Sequence, residues 1–341
     1  MSGEGRARSR ELGLAPGDLP TGPVNAITDV AGVRVGHTTL IEGAGIRTGV
    51  TAIVHDLLIR RGTLPAGLAI FNGFGKMVGT TQITELGSIE TPVLLTGTLS
   101  VYRVADALLS YLHDQPAYAA TATLNPVVAE TNDGYLSDIW ARPVTAAHVR
   151  AAIEGAAGGP VAEGCIGAGI GTSSRLVRLG AGAQATVGVL VQANFGGVLT
   201  IAGAEVLPPS SPPLAEQPGG SCVIVLATDA ALSPRELERL AGRAFAGMAR
   251  TGSDFSGHSG DYALAFTTAS GAGDAAAARS VLAKDLDRLF VAAAEASEEA
   301  ILNSLLAAES MTGFRGHARQ AVPLDLVRGL LSERPGTPTG S

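Results

Sequence analysis

Residues 208–232 read PPSSPPLAEQPGGSCVIVLATDAAL, and the break inside this stretch decides how the chain is organised. Its first part, PPSSPPLAEQPGG at 208–220, joins proline-imposed extension to glycine freedom and offers almost nothing to a core, which predicts a surface loop or linker. SCVIVLAT at 221–228 is apolar and β-branched and closes on Asp229, so a buried strand is expected to start abruptly where the linker stops. Side chains alternate along a strand, which sets Ser221 and Cys222 on opposite faces and makes Cys222 a core thiol rather than a nucleophile. Ser233, Pro234 and Glu236 then supply an N-cap, an N1 proline and an N3 carboxylate, the pattern of a capping box. From there Leu237, Leu240, Ala244, Phe245 and Met248 share one helical face up to Gly252.

Working outward, the polar loop SDFSGHSGD leads into a predicted strand at 262–268, and 281–306 carries one or two apolar-faced helices. Upstream, 50–54, 68–71 and 92–96 are short, apolar or β-branched, and bounded by Gly or Pro, as strands are. Val101, Val104, Ala105, Leu108 and Leu112 mark a helix, and a glycine-rich strand covers 185–194. Strands and helices in this order suit sheets packed on each other and covered by helices. The ends, 1–20 and 332–341, are expected to be flexible, flanking one domain at 21–331.

Composition narrows the function. With 341 residues and 46% hydrophobic content the chain can bury a large core, and 45 Gly with 4% aromatics indicate many turns and close backbone approaches. The net charge of -7 repels a phosphate backbone, and no basic run interleaved with aromatics occurs, which argues against nucleic acid as a partner. No apolar run approaches the roughly 20 residues that cross a bilayer, so no membrane association is expected. The N-terminal stretch lacks the roughly 7–15-residue apolar segment of a secretory signal, which favours the cytoplasm. Cys165 and Cys222 cannot build a disulfide framework or a four-cysteine zinc site, and the six histidines at 37, 55, 113, 148, 258 and 317 have no metal-ligand spacing. No cofactor or metal is expected. GAGIG at 167–171 lacks the full dinucleotide-loop pattern and reads as close backbone packing.

One set of ordered segments is more specific. PTGPVNAITDVAGVRVGHTTL at 20–40, RTGVTAI at 47–53, NGFGKMVGTTQITELGSIETPVLLTGTLSV at 72–101, PVVAETNDGYLSD at 126–138, GIGTSSR at 169–175 and VGVLVQANFG at 187–196 lead to GGSCVIVLATDAAL at 219–232. SGDYALAFTTA at 259–269 and EEAILNSLLAAESMTG at 298–313 complete the set. Together they resemble the L-aminopeptidase/D-esterase-amidase family, also called DmpA-like or β-peptidyl aminopeptidases, across nearly the whole chain. The resemblance implies an αββα four-layer sandwich, self-cleavage into 1–220 and 221–341, and a homo-oligomer of the processed pairs. It implies hydrolysis of an amide or ester next to the free N-terminal amine of a short peptide or aminoacyl amide. The rival readings are an acyltransferase of related architecture, whose relatives typically cleave before Thr, and an unprocessed binding protein of the same fold.

The residues are compatible with that chemistry. Gly220 can take a strained backbone that brings its carbonyl to the Ser221 hydroxyl. Cutting the bond between them frees an α-amine whose ordinary pKa of about 7.7–8.0 makes it a usable base at neutral pH. By resemblance, Ser259 and Asp261 form a polar relay to Ser221, where some relatives carry Glu at the position of Asp261. Asn194 is the implied oxyanion donor, Glu130 the group that takes the substrate ammonium, and Asn132 or Tyr135 a second oxyanion contact. Taken alone, SGD and AETNDG are ordinary turn sequences and His258 a solvated loop residue. Two departures bear on pocket shape: the segment at 168–171 is shorter than in many relatives, and Gly97 stands where Asn is common.

Overall fold

The apolar, glycine-punctuated runs pair into two main sheets in the computed structural model, which describes residues 6–164, 169–206, 220–269 and 283–332. The first sheet has the order β1 (Arg34–Glu42), β2 (Ile46–Val54), β6 (Val93–Gly97), β7 (Val127–Thr131), β4 (Met77–Val78). The second runs β5 (Ser88–Ile89), β3 (Leu64–Gly73), β13 (Gly260–Thr267), β12 (Ser221–Thr228), β9 (Gln184–Asn194), β8 (Gly169–Arg178). Two small ladders, β10 (Thr200–Ile201) with β11 (Ala204–Glu205) and β14 (Met311–Thr312) with β15 (Ala318–Arg319), lie outside them. Helices α3 (Val101–His113) and α4 (Ala146–Glu154) cover the first sheet; α5 (Pro234–Arg250) and α6 (Ala283–Ala307) cover the second. The short helices are α1 (Asp56–Ile59), α2 (Thr80–Leu86) and α7 (Leu324–Ser332).

Four layers need a core at each of their three interfaces, and the described residues supply one at each. Val50, Leu94 and Val128 pack against Val104, Leu108 and Val149 of α3 and α4. Ile53, Leu95 and Ala129 of the first sheet meet Leu190, Val223 and Leu264 of the second. Cys222, Ile224 and Leu226 face Leu240, Leu289 and Ala293 of α5 and α6. The fold is thus an αββα sandwich. β12 is buried throughout because its odd positions line the inter-sheet core and its even positions the helix side. Each Val, Ile or Leu so buried contributes about 1.5–3 kcal/mol relative to exposure.

The expected strands at 50–54, 68–71, 92–96, 185–194, 221–228 and 262–268 lie in β2, β3, β6, β9, β12 and β13, each within a residue or two except 50–54, which is the second half of β2, and 68–71, which is the middle of a longer strand. The capping box forms: the Glu236 N–H donates to Ser233 Oγ at 3.3 Å and the Ser233 N–H to Glu236 Oε2 at 2.8 Å. The segment at 281–306 is one helix over its described part. The expectation of a flexible 1–20 needs correction for residues 6–20, which are packed onto the sandwich. Leu14 is buried, the Ser9 N–H donates to Asn303 Oδ1 at 2.9 Å, and Arg10 pairs with Glu299 at 2.8 Å. Polar side chains at the far edge of β8 and on α6 offered bonds that composition does not reveal. The expected linker lies outside the described residues except for Gly220, as does the tail except for Ser332.

Candidate active site

Ser221 opens β12, paired with Asn194 on the antiparallel side and with Gly260 on the parallel side. It shares the inter-sheet face with Val223 and Val225, opposite to Cys222, so the sheet aims the hydroxyl into the gap between sheets and buries it to 2% exposure. Gly220 is held against the turn that follows β9. A Cβ added there would come within 2.5 Å of the Phe195 Cα and 2.9 Å of the Gly196 nitrogen, so only glycine fits without moving backbone.

The opposite sheet supplies the partner of the Ser221 hydroxyl. At the end of β7 the Asn132 N–H donates to Ser221 Oγ at 2.8 Å. The Asn132 carbonyl accepts from the Asn194 side-chain amide, and the Asn132 side chain accepts the Gly134 N–H at 3.0 Å. One residue is therefore fixed through its donor, its acceptor and its side chain. Of the two alternatives, Asn132 and Tyr135, it is Asn132 that reaches Ser221, and it does so through its backbone. Tyr135 lies in an adjoining cavity, its ring stacked on His317 at 4.5 Å.

Glu130 sits on β7, parallel to β6 with Thr96 as its register partner, and is 2% exposed. Its Oε1 accepts the Lys76 N–H at 3.1 Å and stands 3.5 Å from Lys76 Nζ, which donates to Thr98 Oγ1 at 2.9 Å. Its Oε2 is buried and has no hydrogen-bond partner among the described residues. Burial pushes the Glu130 carboxyl upward and the neighbouring lysine pulls it back. Glu130, Lys76, Asn132, Gly220 and Ser221 share one cavity of about 230 Å³.

Ser259 and Asp261 come together but form a separate pair. Ser259 Oγ donates to Asp261 Oδ1 at 2.7 Å, while Oδ2 is buried with no partner among the described residues. Among the described residues no hydrogen bond joins Ser259 to Ser221, although the register of β12 and β13 brings both to the same sheet end. Burial raises the Asp261 carboxyl to about 6, with the Ser259 hydrogen bond opposing it. Burial, and then the Asp261 charge, push the Cys222 thiol well up, which keeps it protonated and inert. His258 is exposed and meets Phe74 edge-on at 5.3 Å.

Four residues escaped sequence reasoning: Lys76, Asn72, His317 and Arg319. Lys76 and Asn72 both lie in the NGFGKM segment, where a lone Lys amid glycines was the available signal. The Asn72 side chain donates to the carbonyls of Ser256, at 3.0 Å, and Ser259, fixing the loop that carries Ser259. Gly97 also gains a reason. A Cβ there would overlap the Asp133 carboxyl, so the room an Asn would need at 97 is taken by Asp133, whose burial raises it to about 6.

With this geometry in view, the chain matches the model described as Peptidase family S58 over residues 25–319. It is 38% identical to Beta-peptidyl aminopeptidase BapA of Sphingosinicella xenopeptidilytica, covering 96% of this chain and 91% of that protein. It is 40% identical to Beta-peptidyl aminopeptidase BapA of Sphingosinicella microcystinivorans, covering 96% and 92%. Among solved structures, a Burkholderia sp. beta-aminopeptidase superposes with a TM-score of 0.88 at 40% identity, over 97% of this chain and 100% of that one. The l-aminopeptidase d-ala-esterase/amidase of Ochrobactrum anthropi, described as a variant of the Ntn hydrolase fold, gives 0.86 at 38% identity, over 96% and 98%. These matches favour neither the acyltransferase nor the non-catalytic reading.

Proposed function

The chain belongs to peptidase family S58 and is a serine aminopeptidase of the Ntn-hydrolase type; on that premise we propose that Ser221 is its nucleophile, generated when the chain cuts itself between Gly220 and Ser221. The observation that carries this reading is the buried Ser221 hydroxyl at the mouth of a central strand, directly after a glycine that admits no side chain, with a backbone N–H on its oxygen. In the uncut chain Ser221 Oγ attacks the Gly220 carbonyl carbon. The C–N bond breaks, the amine takes the hydroxyl proton, and Gly220 becomes an ester on Ser221. Water then releases the Gly220 carboxylate, leaving chains 1–220 and 221–341. The freed amine serves afterwards as the base toward substrate.

The same groups divide the work of turnover. Ser259 spends its one O–H on Asp261, so its lone pairs stay open to accept from Ser221 and pass a proton toward the carboxylate. The Asn194 amide, beside Ser221 in register, is the oxyanion donor, a role on the order of 2.7–4 kcal/mol in other hydrolases. Glu130 offers Oε2, which has no partner among the described residues, to the substrate ammonium, and Lys76 beside it favours the charged form against the effect of burial. The acyl group of a short peptide or aminoacyl amide moves to Ser221 Oγ and then to water. The processed pair works as a homo-oligomer in the cytoplasm, where a buried free thiol such as Cys222 is stable.

Intact-mass measurement tests the core of this reading. Wild type is expected as two fragments split between Gly220 and Ser221, and Ser221→Ala as one. An intact wild-type chain that still hydrolyses aminoacyl amides would sink the N-terminal-nucleophile assignment.

A further inference from the structure

A second cavity, of about 340 Å³, adjoins the one that holds Ser221, and the two share Asn132 and Gly220. That shared edge is where a reacting carbonyl sits if Ser221 is the nucleophile. Glu130 lies in the first cavity only. An α-amine is two bonds from the carbonyl carbon, so an acyl group whose amine is at Glu130 stays on that side. Its leaving group then enters the second cavity, and the chemistry of that wall bears on which leaving groups bind.

The wall carries a cation held without an acid. The Arg319 guanidinium carbon stands 3.8 Å from the centre of the Tyr135 ring. His317 stacks on that same ring with an interplanar angle of 13° and bonds through Nδ1 to the Tyr135 carbonyl at 2.8 Å, which leaves Nε2 as its free end. Among the described residues Arg319 has no carboxylate partner, in a chain with 31 acidic and 24 basic side chains. An aromatic face orients a guanidinium but consumes none of its N–H donors, and the planar fork of those donors matches a carboxylate. Asn132, Asn194 and Gly220 form the rest of the path from this cation to the nucleophile.

We propose that Arg319, assisted by His317 and seated on Tyr135, is a specificity-determining residue that binds the free C-terminal carboxylate of the leaving group. The enzyme thereby prefers short peptides ending in a carboxylate to aminoacyl amides with the same acyl residue. This inference rests on the proposed role of Ser221 and Glu130.

The test compares a dipeptide bearing a free C-terminus with the same dipeptide amidated, on wild type, Arg319→Met and Arg319→Lys. In Arg319→Met the ratio of kcat/KM for free acid over amide is expected to fall roughly ten- to a hundredfold, the scale of one charge-assisted hydrogen-bonded contact. Arg319→Lys keeps the charge without the fork and is expected to recover part of that ratio. Intact mass showing both fragments establishes that each variant has folded and processed. An unchanged ratio in Arg319→Met overturns the proposal, whether both rates fall together, as they would if Arg319 held the new Gly220 carboxylate, or neither falls. A wild type that hydrolyses neither substrate overturns the aminopeptidase assignment and this inference with it; one that hydrolyses both, with no dependence of the ratio on residue 319, overturns this inference alone.

Discussion

The chemistry turns on which hydroxyl and carboxyl groups still have a free site after the fold has taken its share. Ser221 Oγ accepts one bond from Asn132, Ser259 donates its O–H to Asp261 Oδ1, and among the described residues Asp261 Oδ2 has no partner. Burial holds the Asp261 carboxyl at about 6, above its ordinary 3.8. If the relay works as proposed, Asp261 must be ionised and the Ser221 amine neutral. The sign follows: activity is full above both values and is lost as pH falls, first through the amine near 7.7–8.0 and then through about 6. The logarithm of kcat against pH for the processed enzyme should therefore steepen below about 6, from a slope near one toward a slope near two. Asp261→Asn is expected to lower turnover at every pH and to keep a slope near one throughout. A profile in that variant that still steepens near 6 would assign the ionisation to another group, and Asp133, also near 6 beside Thr48 and Glu130, is the next candidate.

At the scale of elements, β12 and α5 were readable because their signals are local: a β-branched run for the strand, and a capping box with one apolar stripe for the helix. β7 was hidden. Its five residues, VVAET, are all buried, so no alternation marks the strand, and Glu130 looked like part of a turn. The assembly of the site was hidden for a different reason. Asn132 meets Ser221 only because two sheets pack face to face, and no spacing along the chain encodes that contact. Arg175 belongs to the same class. Arg175, which closes the GIGTSSR segment, is fully buried on β8, with its guanidinium 2.7 Å from Glu299 and 3.2 Å from Glu295 of α6, and bonded to the Pro16 carbonyl at 2.7 Å. Removing one partner of such a group strands the others' charge, which typically costs about 3–5 kcal/mol. Arg175→Met in an uncleaved Ser221→Ala background should lose stability on that scale in guanidinium unfolding, and Arg175→Met with Glu299→Leu should lose less. Equal losses in both would assign the cost to packing rather than to the stranded carboxylate.

At the scale of the whole molecule, the proposed cut falls between two chain segments that share one sheet. The second sheet runs β5, β3, β13, β12, β9, β8, and only its two central strands follow Ser221 in sequence. β13 is hydrogen-bonded to β3 and β12 to β9, so the later chain is flanked on both sides by the earlier one. The β12 register to β9 runs unbroken from Ser221 with Asn194 to Thr228 with Val187. α6, also from the later chain, packs across β8 and β9 of the earlier one through Leu289, Ala293, Ala296 and Val187. Separating the fragments would strip two edges of a buried sheet and open both of its faces, which leaves unpaired backbone groups and exposed core together. The new N-terminus therefore stays fixed by the ladder at its first residue, which is what a catalytic α-amine requires. The expected result is that processed enzyme elutes from size exclusion as one species containing both fragments, with the two masses resolving only under denaturing conditions. Refolding of the fragments mixed after denaturation should be far less efficient than refolding of the uncut Ser221→Ala chain, because two central strands must find their slots without a covalent link. Fragments that part in native buffer while activity persists would mean that the later chain carries the site alone, contrary to the contacts Asn132 and Glu130 make from the earlier one.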